Sequence, residues 1–202
     1  EYTDKKNCAA LNVVLSYNNI KMYVIRGNHD NPAYFDGTWE WSNLKLLKDY
    51  TTLEINGDNY FLVGGAVSID RKPRLAQMLE YAKLGMIRDS YWYDEYFILN
   101  KSEAKKAKNI KYVITHTAPK FCWPDNTFGF GQLVNHFVAM GDSKLIGELT
   151  KERMEITKLY NILKLNNPIK AWYYGHFHTS KLTTRDNIDF HLLGISEYKE
   201  IR

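Results

Sequence analysis

The chain has 202 residues, 45% of them hydrophobic, and carries 27 lysines and arginines against 23 aspartates and glutamates. This length suffices for one well-buried domain, and we expect residues 1–202 to form a single domain. A formal net charge of +4 is too small to indicate a dedicated nucleic-acid-binding protein, and no apolar run approaches the roughly 20 residues that a membrane helix needs.

The first part of the chain predicts a helix followed by strands. Apolar residues at helical spacing end at Asn18 and Asn19, and a short strand is predicted directly afterwards, at residues 22–25. Residues 51–55 and 60–63 flank the turn sequence Asn-Gly-Asp-Asn, so we expect them to pair as an antiparallel hairpin.

The remainder of the chain predicts helices that alternate with strands. Two short helices are expected at residues 75–84 and 102–108, the second of them capped by Ser102. The longest helix should begin near Asp142 or Ser143 and end before Asn166-Asn167-Pro168. Its predicted apolar face consists of Ile146, Leu149, Ile156, Tyr160 and Leu163. Further strands are predicted at residues 110–114, 171–174 and 189–193.

Polar segments follow three of these strands. Gly27-Asn28-His29-Asp30, Thr115-His116 and Gly175-His176-Phe177-His178 each come directly after an apolar run that predicts a buried strand. Ligands bind outside the carboxyl ends of strands in open α/β sheets, so we expect these side chains to meet at one edge. Imidazole nitrogen and amide oxygen suit manganese, iron, zinc or cobalt. A single histidine is more often structural, whereas three such segments in order predict a shared metal site.

The glycines that precede Asn28 and His176 are predicted to be part of this site. Gly27 and Gly175 have no Cβ, so they permit an unusual backbone angle and a close approach of neighbouring side chains. His176 and His178 can face the same side if the chain stays extended, which leaves Phe177 to pack away from the metal.

Together these segments resemble one known family, the calcineurin-like metallophosphoesterases of bacteria and phages. The resemblance rests on Arg26-Gly27-Asn28-His29-Asp30, Thr115-His116 and Gly175-His176-Phe177-His178, and residues 64–71 are similar to the Gly-Gly-Ala-x-Ser segment of that family. It implies an α/β fold in which a two-sheet sandwich is flanked by helices (αββα). It also implies a hydrolase of phosphate mono- or diesters with two divalent metal ions, manganese being favoured over iron, zinc and cobalt.

The resemblance also implies a role for each residue of the site. Asn28, His116 and His176 would bind one metal ion, and His178 would bind its neighbour. His29 would be the general acid that faces the leaving-group oxygen, and Asp30 would orient His29 and sustain its protonation.

Two motifs of the family pattern do not occur before Asn28. These are Asp-x-His and Gly-Asp-x-x-Asp, which supply the bridging carboxylate and most ligands of the first metal ion. We therefore expect the chain to be the C-terminal portion of a phosphoesterase domain whose N-terminal strands are missing. We also expect partial metal occupancy or none, impaired hydrolysis, and an exposed sheet edge that makes an oligomer possible.

A long predicted loop is one candidate for contact with the substrate. It spans residues 118–141 and contains Trp123, Phe128 and Phe130 among proline, asparagine and glycine. This stretch fits a substrate lid and an ordinary aromatic surface loop equally well.

Two arginines are the other candidates. Arg71 and Arg74 flank Pro73 in a predicted loop after a strand, where they could bind a phosphate oxygen. They could equally pair with Glu80 or Asp89.

Two other functions stay open at this point. A nuclease of the same superfamily is one, although the modest positive charge makes nucleic acid a possible rather than a favoured partner. A non-catalytic scaffold is the other; it fits the missing motifs, but a scaffold has no chemical reason to retain His29 and Asp30. The widely separated Cys8 and Cys122 fit a reducing cytoplasm, which is the expected compartment.

Overall fold

The computed structural model describes residues 2–124 and 129–201, which contain five α-helices and eight strands. The helices are α1 (Tyr2–Tyr17), α2 (Arg71–Lys83), α3 (Lys101–Lys106), α4 (Phe130–Ala139) and α5 (Leu145–Asn166). The strands are β1 (Met22–Val24), β2 (Leu44–Leu46), β3 (Thr51–Ile55), β4 (Asp58–Val63), β5 (Ile110–Thr115), β6 (Ala171–Tyr174), β7 (Lys181–Arg185) and β8 (Ile188–Leu192). Single 3-10 turns occur at Pro32–Phe35 and Lys120–Cys122.

Six of the strands form one mixed sheet in the order β3-β4-β5-β6-β8-β7. The four inner strands run parallel, and the outer strands β3 and β7 pair antiparallel to their neighbours. The predicted hairpin is therefore confirmed as β3 and β4. Helices flank this sheet, which confirms the expected α/β class. The carboxyl ends of β4, β5 and β6 lie side by side, and this edge carries two of the three predicted site segments.

Helix α5 packs against one face of the sheet. Its inward side chains include Leu149, Ile156, Leu159 and Leu163, each at most 2% exposed. They share a core with sheet residues such as Val113, Trp172 and Phe190. Burying each such side chain is worth about 1.5–3 kcal/mol, so this contact is a main source of stability. Ile146 is 52% exposed, so its predicted place on the buried face is wrong.

Strand β1 differs from its prediction. Its three residues are exposed or half-buried, and it pairs with β2 in a separate two-stranded parallel sheet. The three site segments therefore do not follow strands of one sheet. Instead, the loop after β1 brings residues 27–30 to the carboxyl ends of β5 and β6.

Two helices begin earlier than predicted. Helix α2 starts at Arg71, so Arg71 and Arg74 lie in its first turn and not in a loop. Pro73 is compatible with that turn, because the first backbone N–H groups of a helix have no partner inside the helix. Helix α3 is capped by Asn100 and not by Ser102, since the Asn100 side chain accepts hydrogen bonds from the backbone of Ser102 and Glu103.

The stretch predicted as a long loop contains a 3-10 turn and the helix α4. Trp123 is only 2% exposed, and Phe130 is partly buried against the core. Phe128 lies outside the described residues. None of the helices in residues 2–124 and 129–201 is long and apolar enough to cross a membrane.

Candidate metal centre

Two predicted ligands, His116 and His176, converge on the side-chain oxygen of the third, Asn28. His116 Nε2 lies 2.9 Å from Asn28 Oδ1, and His176 Nδ1 lies 3.1 Å from the same oxygen. The two imidazole rings are 5.0 Å apart between centroids. The structure thus brings together residues from three separate segments, as the sequence predicts for Asn28, His116 and His176.

Ser68 orients the Asn28 amide. Asn28 Nδ2 donates to Ser68 Oγ at 2.7 Å, and Ser68 Oγ donates to the Asn28 backbone oxygen at 3.2 Å. With its nitrogen used in this way, the amide turns its oxygen toward the two histidines. Ser68 follows strand β4, so three adjacent parallel strands each place a residue in the site.

Close packing around His116 requires a glycine. A Cβ on Gly27 would lie 3.2 Å from His116 Cε1, which is tighter than most real contacts. The predicted close approach at Gly27 is therefore confirmed, whereas Gly27 has no positive φ and the predicted unusual backbone angle is wrong. A Cβ on Gly175 would meet nothing within 4 Å, and Gly175 has no positive φ, so the prediction for Gly175 is wrong.

In the last site segment, the unusual backbone angle occurs at His176 and His178 and not at Gly175. His176 has φ +70° and His178 has φ +53°, and the Phe177 N–H donates to the Gly175 oxygen across His176. This is a γ-turn of the rare, strained kind and not the extended segment that was expected. Phe177 packs into the core as predicted, while the exposed His178 lines the same cavity as Asn28 and His176. Strained backbone is typical of functional sites.

The electrostatics favour neutral histidines. Burial is the main cause that lowers the pKa of His116 to about 4 and places the pKa of His176 well below its usual value. A neutral imidazole has one nitrogen lone pair that a metal ion could use, whereas a protonated ring has none. Ligands about 2 Å from one metal ion lie roughly 3 Å from each other, which matches the observed separations.

The set of candidate metal ligands needs the Asn28 side chain in addition to the histidines. Across the described ranges 2–124 and 129–201, no three histidine, cysteine, aspartate or glutamate side chains are arranged to hold a metal ion. One amide oxygen and two neutral imidazoles fit a first-row divalent cation. The residues present therefore fit the metal that the sequence predicts.

His29 is held by Arg74 and not by Asp30. Arg74 Nη1 donates to His29 Nδ1 at 3.0 Å, and His29 Nε2 lies 3.9 Å from Asp70 Oδ2. Partial burial and the Arg74 charge lower the pKa of His29, while Asp70 and Asp30 raise it. Asp30 accepts a hydrogen bond from the Gly27 backbone N–H at 2.6 Å. The contact that orients His29, which was expected from Asp30, is therefore made by Arg74.

Neither predicted substrate arginine pairs with Glu80 or Asp89. Arg71 forms ion pairs with Asp142 and Glu148 at the start of α5. Arg74 is 8% exposed and donates to Ser68 Oγ and Glu95 Oε1, both at 2.6 Å. Arg74 thus supports the site from behind, whereas Arg71 belongs to a separate ion-pair cluster.

A buried glutamate connects two of the site's loops. Glu152 on α5 accepts hydrogen bonds from the Val67 N–H, next to Ser68, and from Thr117 Oγ1, next to His116. The helix thereby fixes the distance between the loop after β4 and the loop after β5.

A family model for calcineurin-like phosphoesterases matches residues 2–180, which is most of the chain. The chain belongs to the calcineurin-like phosphoesterase family. Members of this family hydrolyse phosphoester bonds and typically bind two divalent metal ions. A comparison with curated proteins finds no match. The resemblance noted in the sequence is thus confirmed.

Sequence reasoning missed three supporting residues of this calcineurin-like phosphoesterase. Ser68 stands in the Gly-Gly-Ala-x-Ser segment that the resemblance already included, so the segment itself was the available signal. Glu95 lies in a run of aromatic residues, where a charged residue predicts a buried partner. Nothing local distinguishes Glu152 from the other acidic residues of α5.

Proposed function

We propose that this calcineurin-like phosphoesterase hydrolyses phosphate esters at the site formed by Asn28, His116 and His176, with His178 as a further ligand, at the impaired rate expected of a chain without Asp-x-His and Gly-Asp-x-x-Asp before Asn28. The convergence of Asn28 Oδ1 with His116 Nε2 and His176 Nδ1 carries this proposal. A divalent cation bound there, manganese first among the candidates, would polarise the phosphoryl group.

His29 is the proposed proton donor to the leaving group. While Arg74 donates to Nδ1, the neutral ring carries its proton on Nε2. A fully protonated ring needs Nδ1 as a donor, so Arg74 must leave Nδ1 before His29 transfers a proton. The Asp70 carboxylate and the negative charge of a bound phosphate both favour the protonated ring. Asp30 shapes the 27–30 turn through its bond to Gly27.

Two substrates that differ in their leaving group test the role of His29. We expect His29→Ala to lower turnover of an alkyl phosphate by about 10²–10⁴-fold, because an alkoxide needs a proton to leave. The loss should be much smaller for p-nitrophenyl phosphate, whose leaving group needs none. Hydrolysis rates are measured with manganese, iron, zinc and cobalt, and the corresponding diesters are included.

His191→Ala is the matched control, since His191 stacks on Tyr173 on the face of the sheet opposite to helix α5. An equal loss for both leaving groups in His29→Ala would rule out the acid role. If the chain hydrolyses no ester and binds none of the four metals, the proposed function is wrong.

A further inference from the structure

A cavity of about 560 Å³ opens beside the candidate metal centre. Its polar lining includes Asn28, His29, Asp70, His176 and His178. Its apolar lining, here called the apolar wall, includes Ile69, Phe130, Leu133, Phe137 and Phe177. A phosphate ester with its phosphorus beside the polar residues would therefore have its organic group within reach of this apolar wall.

Helix α4 provides three of the five residues of the apolar wall. Phe130, Leu133 and Phe137 are spaced three and four positions apart, so they lie along one side of the helix. Val134 lies on the same side between Phe130 and Phe137, is 8% exposed, and belongs to the main core, against which Phe130 and Phe137 also pack. The face that anchors the helix thus also carries the residues that line the cavity, and Leu133 stands at its exposed margin.

An aromatic cluster connects the apolar wall to the metal-ligand segment. The Trp123 ring contacts Phe130 and Phe177 edge to face, with centroids 5.5 and 4.9 Å apart. Trp123 itself is buried, and its Nε1 donates to the Ala118 oxygen at 2.8 Å. Phe177 stands between His176 and His178 in the sequence. The wall and the ligands are therefore positioned by the same packing.

The described lining of the cavity contains no lysine or arginine, the cations that a polyanionic substrate needs. Arg71 is paired with Asp142 and Glu148, and Arg74 is buried behind the site. The described lining therefore offers no cation to a second phosphate group.

Leu133 is the most exposed residue of the apolar wall. Its side chain is 50% exposed, although Phe130, Val134 and Phe137 on the same helix pack against the core. A ligand with an apolar group would cover this surface, and removing apolar surface from water is favourable. A charged or sugar-like group would gain nothing from it.

We propose that the apolar wall is the subsite for the organic group of the substrate, and that the site selects singly phosphorylated aromatic or bulky apolar alcohols. This inference rests on the proposed function, which places the phosphorus at the metal centre. In the reaction the bond between phosphorus and the ester oxygen breaks, a water oxygen bonds to phosphorus, and the ester oxygen takes a proton. The products are the free alcohol and inorganic phosphate.

Two aryl esters with leaving groups of similar acidity isolate the contribution of apolar contact. We expect kcat/KM for 2-naphthyl phosphate to exceed that for phenyl phosphate by about tenfold or more, as an added apolar group does in a fitted pocket. Leu133→Ser should bring this ratio close to one. Leu79→Ser on α2 is the matched control, because Leu79 is 57% exposed and lies outside this cavity.

Binding of 2-naphthylphosphonate and phenylphosphonate, followed by naphthyl fluorescence and by competition, gives a readout that does not depend on turnover. Equal affinity for the two phosphonates, or an equal loss in Leu133→Ser and Leu79→Ser, would overturn the subsite. Faster hydrolysis of ATP or of a dinucleotide than of naphthyl phosphate would overturn the selectivity for one phosphate. Leu133-dependent phosphonate binding without hydrolysis of any ester would keep the subsite and refute the proposed function.

Discussion

Glu152 is a carboxyl group in an unusual position, because it is 4% exposed and its two oxygens accept hydrogen bonds from the Val67 N–H and from Thr117 Oγ1. Burial is the dominant effect and raises its pKa to about 7, against the opposing effect of the Val67 and Thr117 hydrogen bonds. The folded protein therefore holds a proton on Glu152 at pH values where the unfolded chain has lost it.

This proton makes stability depend on pH in a defined direction. Between about pH 4.5 and 7 the folded state binds more protons at Glu152 than the unfolded state, so the free energy of unfolding falls as pH rises through this window. Across this pH window the free energy of unfolding changes by about 3 kcal/mol in total. We expect Glu152→Gln to remove this slope in urea denaturation at pH 5, 6, 7 and 8.

Glu155→Gln on the same helix is the control, because its side chain pairs with Lys158 at the surface. It should keep the slope of the wild-type protein. The interpretation fails if Glu152→Gln retains the wild-type pH dependence.

The ion pair between Arg74 and Glu95 is buried, with side chains 10% and 2% exposed. Removing one partner leaves an uncompensated charge in the interior. We expect Arg74→Met to lower the free energy of unfolding by about 3–5 kcal/mol, and a second change, Glu95→Gln, to restore part of that loss. Urea denaturation of the two single variants and the double variant measures the coupling.

The exposed pair of Lys106 and Glu103 provides the comparison. Breaking it by Lys106→Met should change stability by less than about 1 kcal/mol. If the double variant at positions 74 and 95 is as unstable as Arg74→Met alone, the loss comes from packing and not from charge.

At the scale of single residues, the candidate metal ligands could be predicted from the sequence. The residues that hold those ligands in place could not. Asn28, His116 and His176 each follow an apolar run directly, so the signal is local. The contact of Arg74 with His29 spans 45 positions, and the contact of Glu152 with Val67 spans 85. Only the tertiary fold creates such contacts, and a local pattern contains no information about them.

Among the elements, the turn after β4 depends on a glycine with a left-handed backbone. Gly65 has φ +83°, and a Cβ there would lie 2.7 Å from both Arg26 Nη1 and the Glu95 oxygen. Arg26 is itself fixed by two hydrogen bonds to Asp49 Oδ2. The turn therefore has no room for a side chain.

Two glycine-to-alanine changes should have opposite effects. Gly65→Ala is expected to destabilise the protein by roughly 1–3 kcal/mol from backbone strain, with the close contact adding to this. Gly147→Ala on α5, where a Cβ meets nothing within 4 Å, should stabilise it by up to about 1 kcal/mol. Thermal and urea unfolding of both variants tests the pair. Similar changes in both would mean that neither the strain nor the contact at Gly65 matters.

Strand β7 and helix α4 were missed for two different physical reasons. Strand β7 reads Lys-Leu-Thr-Thr-Arg and lies at the sheet edge, so it has no buried face to create an alternating pattern. Helix α4 follows Gly129 and contains Gly131, which locally favour a loop. By contrast, β5, β6 and α5 are buried against each other, and their apolar patterns predicted them correctly.

At the scale of the whole molecule, metal binding should stabilise the folded chain. A cation that binds only the folded state adds about 2.7 kcal/mol at a concentration one hundred times its Kd. For a chain of this size we expect the Tm to rise by about 5–10 °C with manganese and to fall back with a chelator. Differential scanning calorimetry measures both changes.

His176→Ala should abolish this rise in Tm, whereas the exposed His136 on α4 can be replaced by alanine without loss of the metal response. An unchanged response in His176→Ala would place the bound cation elsewhere in the molecule.

The three converging donors also have a consequence for how the protein folds. Asn28 is 88 positions from His116 and 148 positions from His176 along the chain. Contacts across such separations require the closure of long loops, which is slow compared with the formation of helices and hairpins. Capture of a metal ion during refolding should therefore lag behind the recovery of helical circular dichroism. Metal binding would therefore report on the final folding step, in which distant parts of the chain come into contact.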